Sequence, residues 1–181
     1  MRLFIAVPLD ETTRGYIAQL QNKLRSQVSS ARFTRAENLH ITLHFFGEGY
    51  ENRLESIIQV MDTLCTPRFT MQLRDLGGFS RGGEGWILWM GASDEMRIRS
   101  LHSELCSNLV KQGVCSKTAC AASRFTPHIT LAREVKTGFC LDELRGGTRI
   151  LPVNVNSVCL MKSERIGGVL TYTTVHEGLL R

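Results

Sequence analysis

The sequence predicts an α+β fold made of two similar lobes of mainly antiparallel sheet that meet at a cleft. Three observations carry this expectation. Helical and extended periodicities succeed one another in a comparable order in both halves of the chain, several strands follow each other through short turns, and one tetrapeptide occurs once in each half. No linker or low-complexity stretch separates the halves, so residues 1–181 read as one bilobal domain with repeat halves of approximately 1–92 and 93–181.

Residues 2–7 are continuously apolar after the first arginine and read as a buried strand. Asp10 is placed to cap a helix running to about residue 28, with Tyr16, Ile17, Leu20 and Leu24 at helical spacing. Arg32–Arg35 is short and extended. In His40–Phe46 the alternation sets His40, Thr42 and His44 on one face and Ile41, Leu43 and Phe45 on the other. A second helix spans 52–64, with Leu54, Ile57, Ile58, Met61 and Leu64 as its stripe. Strands follow near 68–76 and 86–91, joined by the glycine-rich stretch Gly77–Gly85. A helix over 94–112 carries Leu101, Leu105 and Leu109 on one side and is followed by a loop and a strand at Thr126–Ala132. Strands at roughly 150–162 and 169–176 close the chain around the turn Arg165-Ile166-Gly167-Gly168.

Bulk properties narrow the field. With 43% hydrophobic and 22% charged residues, the 181-residue chain lies in the globular range and outside the signature of disorder. A net charge of +5 and a pI near 9.1 favour anionic partners. The opening apolar run is too short for a signal-peptide core, and no stretch approaches the roughly 20 apolar residues of a membrane span, so the expectation is a cytoplasmic protein with no membrane partner. The six cysteines, Cys65, Cys106, Cys115, Cys120, Cys140 and Cys159, contain no Cys-x-x-Cys pair and read as reduced thiols rather than a zinc ribbon or redox motif.

The chemistry is concentrated in the tetrapeptide His-Ile-Thr-Leu, present at residues 40–43 and again at 128–131. A lone His-x-Thr is weak evidence, but recurrence of all four residues in predicted strands of different halves is not. Residues i and i+2 of a strand share a face, so each copy offers an imidazole beside a hydroxyl while its aliphatic residues turn to the core. Two such half-sites around one small anion supply a proton acceptor, a proton donor and two hydroxyl donors. That set suits hydrolysis of a cyclic phosphodiester, because an unperturbed histidine titrates near neutrality. No metal or other cofactor is required.

These motifs and their surroundings resemble the two-histidine (2H) phosphoesterases, specifically the RNA 2′,3′-cyclic phosphodiesterases also called 2′-5′ RNA ligases. The resemblance rests on Arg2-Leu3-Phe4-Ile5-Ala6, on Asn38-Leu39-His40-Ile41-Thr42-Leu43 running into Phe45-Phe46-Gly47-Glu48, and on Phe125 through Arg133 around the second copy. It implies helices outside two sheet lobes and a central cleft. It further implies that His40 protonates the leaving 3′ oxygen and His128 activates water, so that RNA or nucleotide 2′,3′-cyclic phosphate ends yield a 2′-phosphomonoester. Thr42 and Thr130 complete the catalytic set.

Three substrate-binding candidates remain open on sequence. Arg133 matches the family's arginine after the second motif, but strict alternation points it away from His128 unless the strand bulges; otherwise it is a solvated arginine. Phe45 lies where the resemblance places a base-stacking ring, yet parity groups it with the core residues Ile41 and Leu43. His44 shares the face of His40 and Thr42 and is read as a cleft-rim residue near RNA phosphate; with no carboxylate or cysteine cluster near it in sequence, no metal site is expected. The alternatives to hydrolysis are a non-catalytic RNA-end binding module and a 2′-5′ RNA ligase running the reverse reaction. A monomer is expected.

Overall fold

The structure, a computed structural model, describes residues 1–92, 96–121, 125–136 and 150–181. Among the described residues nine strands form one sheet: β1 (Arg2–Pro8), β2 (Arg32–Phe33), β3 (His40–Gly47), β4 (Phe69–Ser80), β5 (Trp86–Ala92), β6 (His128–Val135), β7 (Leu151–Val155), β8 (Ser157–Ile166) and β9 (Val169–Leu179). The helices are α1 (Glu11–Arg25), α2 (Leu54–Asp62), α3 (Met96–Lys111) and α4 (Lys117–Ala121). All strand pairs are antiparallel, in the order β7-β4-β5-β6-β3-β1-β8-β9, with β2 pairing beside β6. The α+β class read from the sequence is the one observed.

The spatial halves are not the halves of the chain. β4 and β5, from residues before 92, lie with β6 and β7, whereas β8 and β9 flank β1. Hence the division at 92/93 runs through both sheet halves. The apolar run 150–162 also differs from expectation, for it is two strands broken at Asn156. β7 sits at one end of the sheet and β8 near the other, so this single residue carries the chain between ends, and the sheet must curl. Leu180 N–H donates to the Asn156 carbonyl at 2.9 Å and Arg68 N–H to the Arg181 carbonyl at 3.0 Å, tying the curled edges together.

Helix α1 starts where Asp10 accepts the Thr13 N–H at 2.7 Å and buries Ile17, Leu20 and Leu24. Helices α2 and α3 bury Ile57, Val60 and Met61, and Ile98, Leu101, Leu105 and Leu109, against the sheet. The first residues of the helix expected over 94–112 lie outside the described residues, as does Cys140. The loop expected after residue 112 contains α4.

Gly77 and Gly78 belong to β4 rather than to a loop. Composition misled here because the glycine provides space: a Cβ on Gly77 would stand 2.2 Å from the Trp89 ring, and one on Gly91 2.7 Å from it. Trp89 in turn packs near His128, with ring centroids 5.9 Å apart. Gly77→Ala is therefore expected to displace the indole and to cost about 1–3 kcal/mol of stability, as overpacking does. Denaturant unfolding checks this, and an unchanged midpoint would refute the close approach.

Candidate active site

Strands β3 and β6 meet at a single pair, Ile41 opposite Ile129. These are the second residues of the two His-Ile-Thr-Leu copies, so antiparallel pairing sets His40 opposite Thr130 and Thr42 opposite His128. Both isoleucines are fully buried. Alternation then puts all four polar side chains on the other face, with the two histidines diagonal to one another, a relation that separates the residues by about 7–8 Å. All four line one cleft of about 410 Å³.

The two rings are held alike. Nδ1 of His40 lies 2.7 Å from the Asn38 carbonyl, and Nδ1 of His128 lies 2.6 Å from the Thr126 carbonyl. A carbonyl only accepts, so each neutral ring carries its proton on Nδ1 and leaves Nε2 as a base. His40 Nε2 takes the Thr42 hydroxyl at 2.9 Å. Each imidazole is also packed between two aromatic rings. Phe4 and Tyr172 lie 4.9 and 5.3 Å from His40, and Phe79 and Trp89 lie 5.2 and 5.9 Å from His128. This packing takes the rings out of water. Burial, opposed by the Asn38 carbonyl and joined by the charges of Arg133 and His128, brings the His40 pKa down to about 4. Burial, opposed by the Thr126 carbonyl and aided by Arg133, also lowers that of His128.

β-Bulges decide the remaining candidates. Ile5 pairs with His44 but Ala6 with Thr42, so Leu43 is an extra residue in β3. Leu88 pairs with Ala132 but Trp89 with Thr130, so Leu131 is the matching extra residue in β6. Each bulge reverses the parity beyond it. Five residues past its histidine, each strand therefore turns a side chain back into the cleft: Phe45 from β3 and Arg133 from β6. Phe45 is 60% exposed, which removes the core-packing alternative. His44 moves the other way. It is 8% exposed on the opposite side of the sheet, edge-on to Phe46 at 4.6 Å, and its pKa falls to about 4 through burial and the neighbouring His102. The cleft-rim reading of His44 is thus corrected, because it assumed unbroken alternation.

The β6 bulge has a dedicated support. Buried Gln21 of α1 donates its amide to the Thr34 and Leu131 carbonyls, both at 2.8 Å, and Thr34 N–H also donates to the Leu131 carbonyl at 2.9 Å. Gln21→Leu leaves the Thr34 carbonyl without that donor and weakens the hold on Leu131. We expect a loss of about 1–3 kcal/mol in denaturant unfolding. An unchanged denaturation midpoint would rule this role out.

Sequence reasoning missed several cleft residues. Arg165 and Tyr172 come from β8 and β9 respectively, and Arg32, Phe33 and Arg35 from the β2 segment, where nothing local marks them. Asn38 was noted only as part of a motif. Its amide donates to the Leu170 carbonyl at 2.9 Å while its own carbonyl orients His40, so it joins β9 to the site. His176 lies away from the cleft and meets Asp62 at 2.7 Å.

Comparison with known proteins agrees with this geometry. Residues 7–89 match the family model described as LigT like Phosphoesterase. An RNA 2′,3′-cyclic phosphodiesterase from Methanothermobacter thermautotrophicus is 32% identical over 172 residues, covering 91% of this chain and 90% of that protein. The crystal structure of Escherichia coli LigT in apo form superposes with a TM-score of 0.76 at 26% identity, covering 99% of this chain and 96% of that one. Its complex with 3′-AMP gives a TM-score of 0.73 at 25% identity, with the same coverage. No described helix is long and apolar enough to cross a membrane. Sequence identity of this extent, carried over nearly the full length of both proteins, establishes that the chain belongs to the LigT-like phosphoesterase family.

Proposed function

We propose that this protein hydrolyses 2′,3′-cyclic phosphate on RNA or nucleotides to a 2′-phosphomonoester, with His40 as proton donor and His128 as proton acceptor. The observation that carries the reading is the β3–β6 junction, which sets two Nε2 atoms and two hydroxyls on one face of a cleft. In the reaction His128 Nε2 takes a proton from water as its oxygen attacks phosphorus. The bond from phosphorus to the 3′ oxygen breaks, and that oxygen receives the proton of His40 Nε2. Hydroxyls of Thr42 and Thr130 and the Arg133 guanidinium meet the non-bridging oxygens, where charge accumulates. Thr42 must release His40 Nε2 for this, exchanging one acceptor for another. Phe45 offers its exposed face to a base.

Both proton transfers are supplied by the imidazoles, so the chemistry needs no metal in the cleft. The assignment of donor and acceptor follows the family resemblance. In the free enzyme burial and Arg133 disfavour imidazolium, most strongly at His40. A bound phosphate anion favours the charged ring and raises both pKa values. Five described cysteines are free thiols, which suits a cytoplasmic setting.

The pH dependence follows with a definite sign. Activity needs one ring protonated and one neutral, and both titrate below about 6.5 in the free enzyme. Above that pH the singly protonated pair thins out about tenfold per pH unit, so log kcat/KM should fall with a slope of about −1 between roughly pH 7 and 8. The kcat profile should lie at higher pH, because the anion restores the imidazolium. A kcat/KM that rises with pH over that window would contradict the scheme.

The direct test is to incubate the protein with each 2′,3′-cyclic nucleotide, with and without EDTA, and identify the phosphomonoester. The 2′-phosphate formed equally with chelator is expected. Salt-sensitive binding without turnover would indicate an RNA-end binding module instead.

A further inference from the structure

On the face of β3 opposite the cleft, chain segments remote in sequence gather around the buried ring of His44. A ring nitrogen of His44 and the sulfurs of Cys115 and Cys120 all lie within 4.8 Å of one another, and the two sulfurs are 3.1 Å apart. Cys106 of α3 lies next to this group, its sulfur just outside the 4.8 Å set: its thiol meets His102 Nε2 at 3.5 Å, and the Cys120 thiol donates to its carbonyl at 3.8 Å. The sequence concealed this cluster, because the cysteines lack the usual metal-site spacing and lie far from residue 44.

Two features make these side chains more than neighbours. Helix α4 has five residues, well below the length at which a helix holds itself in water. Its Lys117, Thr118 and Ala119 are exposed, so the stretch 115–120 turns only Cys115 and Cys120 toward the interior. Burying two small thiols is a weak anchor for so short a helix, whereas an ion bridging them would fix it. The donor set is also matched. A desolvated neutral imidazole with thiols is what zinc-class ions take in tetrahedral sites, in which bound sulfurs stand about 3.8 Å apart. A small side-chain rotation from 3.1 Å reaches that separation.

We propose that His44, Cys115, Cys120 and Cys106 form a structural site for a zinc-class divalent ion. On binding, each thiol gives its proton to solvent and His44 donates a ring lone pair. His102 then serves as the partner that orients Cys106. The ion would tie α3 and α4 to β3 only four residues from His40, stiffening one wall of the cleft without touching substrate. This site stands independently of the proposed phosphodiesterase activity.

Titration of the full, reduced, metal-free chain with Co2+ tests the idea. One equivalent should produce the intense visible bands of a tetrahedral site and sulfur-to-cobalt charge transfer, both erased by one equivalent of Zn2+. His44→Asn, Cys115→Ser and Cys120→Ser should each abolish stoichiometric uptake, and Cys106→Ser should remove about one third of the charge-transfer intensity, as expected on losing one of three thiolates. Should those variants unfold, alkylation of the wild-type chain decides: Zn2+ should protect Cys115 and Cys120 at least tenfold while leaving exposed Cys65 reactive. The proposal is overturned if Co2+ gives no thiolate charge transfer, if uptake persists in all the variants, or if the native mass shows only the loss of two hydrogens that marks a Cys115–Cys120 disulfide.

Discussion

Replacing His128 or His40 with alanine is expected to lower kcat/KM on a 2′,3′-cyclic nucleotide by about 10²–10⁴ in each case, the range that a positioned acid or base supplies. The losses should not multiply. Proton removal from water and proton delivery to the leaving oxygen belong to one concerted displacement, so the double variant should fall little below the worse single one. The two roles separate on a substrate whose leaving group needs no proton. A 3′-deoxynucleoside 2′-(p-nitrophenyl phosphate) places p-nitrophenolate where the 3′ oxygen would depart. On it His40→Ala should regain most of its activity, while His128→Ala, still without a base, should not. Rescue of the His128 variant alone would reverse the assignment, and full activity of both on the cyclic substrate would sink the mechanism.

Arg133→Ala is expected to cost about 10²–10³ in kcat/KM, comparable to removal of one preorganised donor from a transition-state oxyanion. The Leu131 bulge returns this side chain to the cleft, where its charge is felt by His40, His128 and Tyr172 alike. Arg133→Lys should recover only part of the loss, because an ammonium keeps the charge and lacks the planar fork. A second consequence distinguishes a phosphate clamp from a surface charge. Without the guanidinium one cause of the lowered histidine pKa values is removed, so the falling limb of the kcat/KM profile should move to higher pH. Wild-type kinetics in Arg133→Ala, with no displacement of that limb, would return the residue to the solvated role.

Side-chain alternation in β3 and β6 is legible in the sequence as far as the bulges and no further. Period-two alternation holds from His40 to Leu43 and from His128 to Leu131, and there the sequence pattern placed every side chain on its observed face. Beyond those points an inserted residue, Leu43 in β3 and Leu131 in β6, inverts the pattern, and each strand shifts register once more further on. Alternation alone therefore aimed His44 at the cleft and withheld Phe45 and Arg133 from it. The glycines of β4 misled for a related reason: their composition resembles a turn, but what they serve is an indole arriving from β5.

The linear sequence was sufficient to determine the α+β class, the buried strands and helix stripes, and the duplicated imidazole-hydroxyl unit, since each is a local matter of side-chain spacing and backbone preference. Tertiary structure alone decided which residues share the cleft and which thiols surround His44. Bulges, the crossing at Asn156 and the close approach of Trp89 to Gly77 arise from pairing between distant segments, and such pairing leaves no periodic trace in either partner.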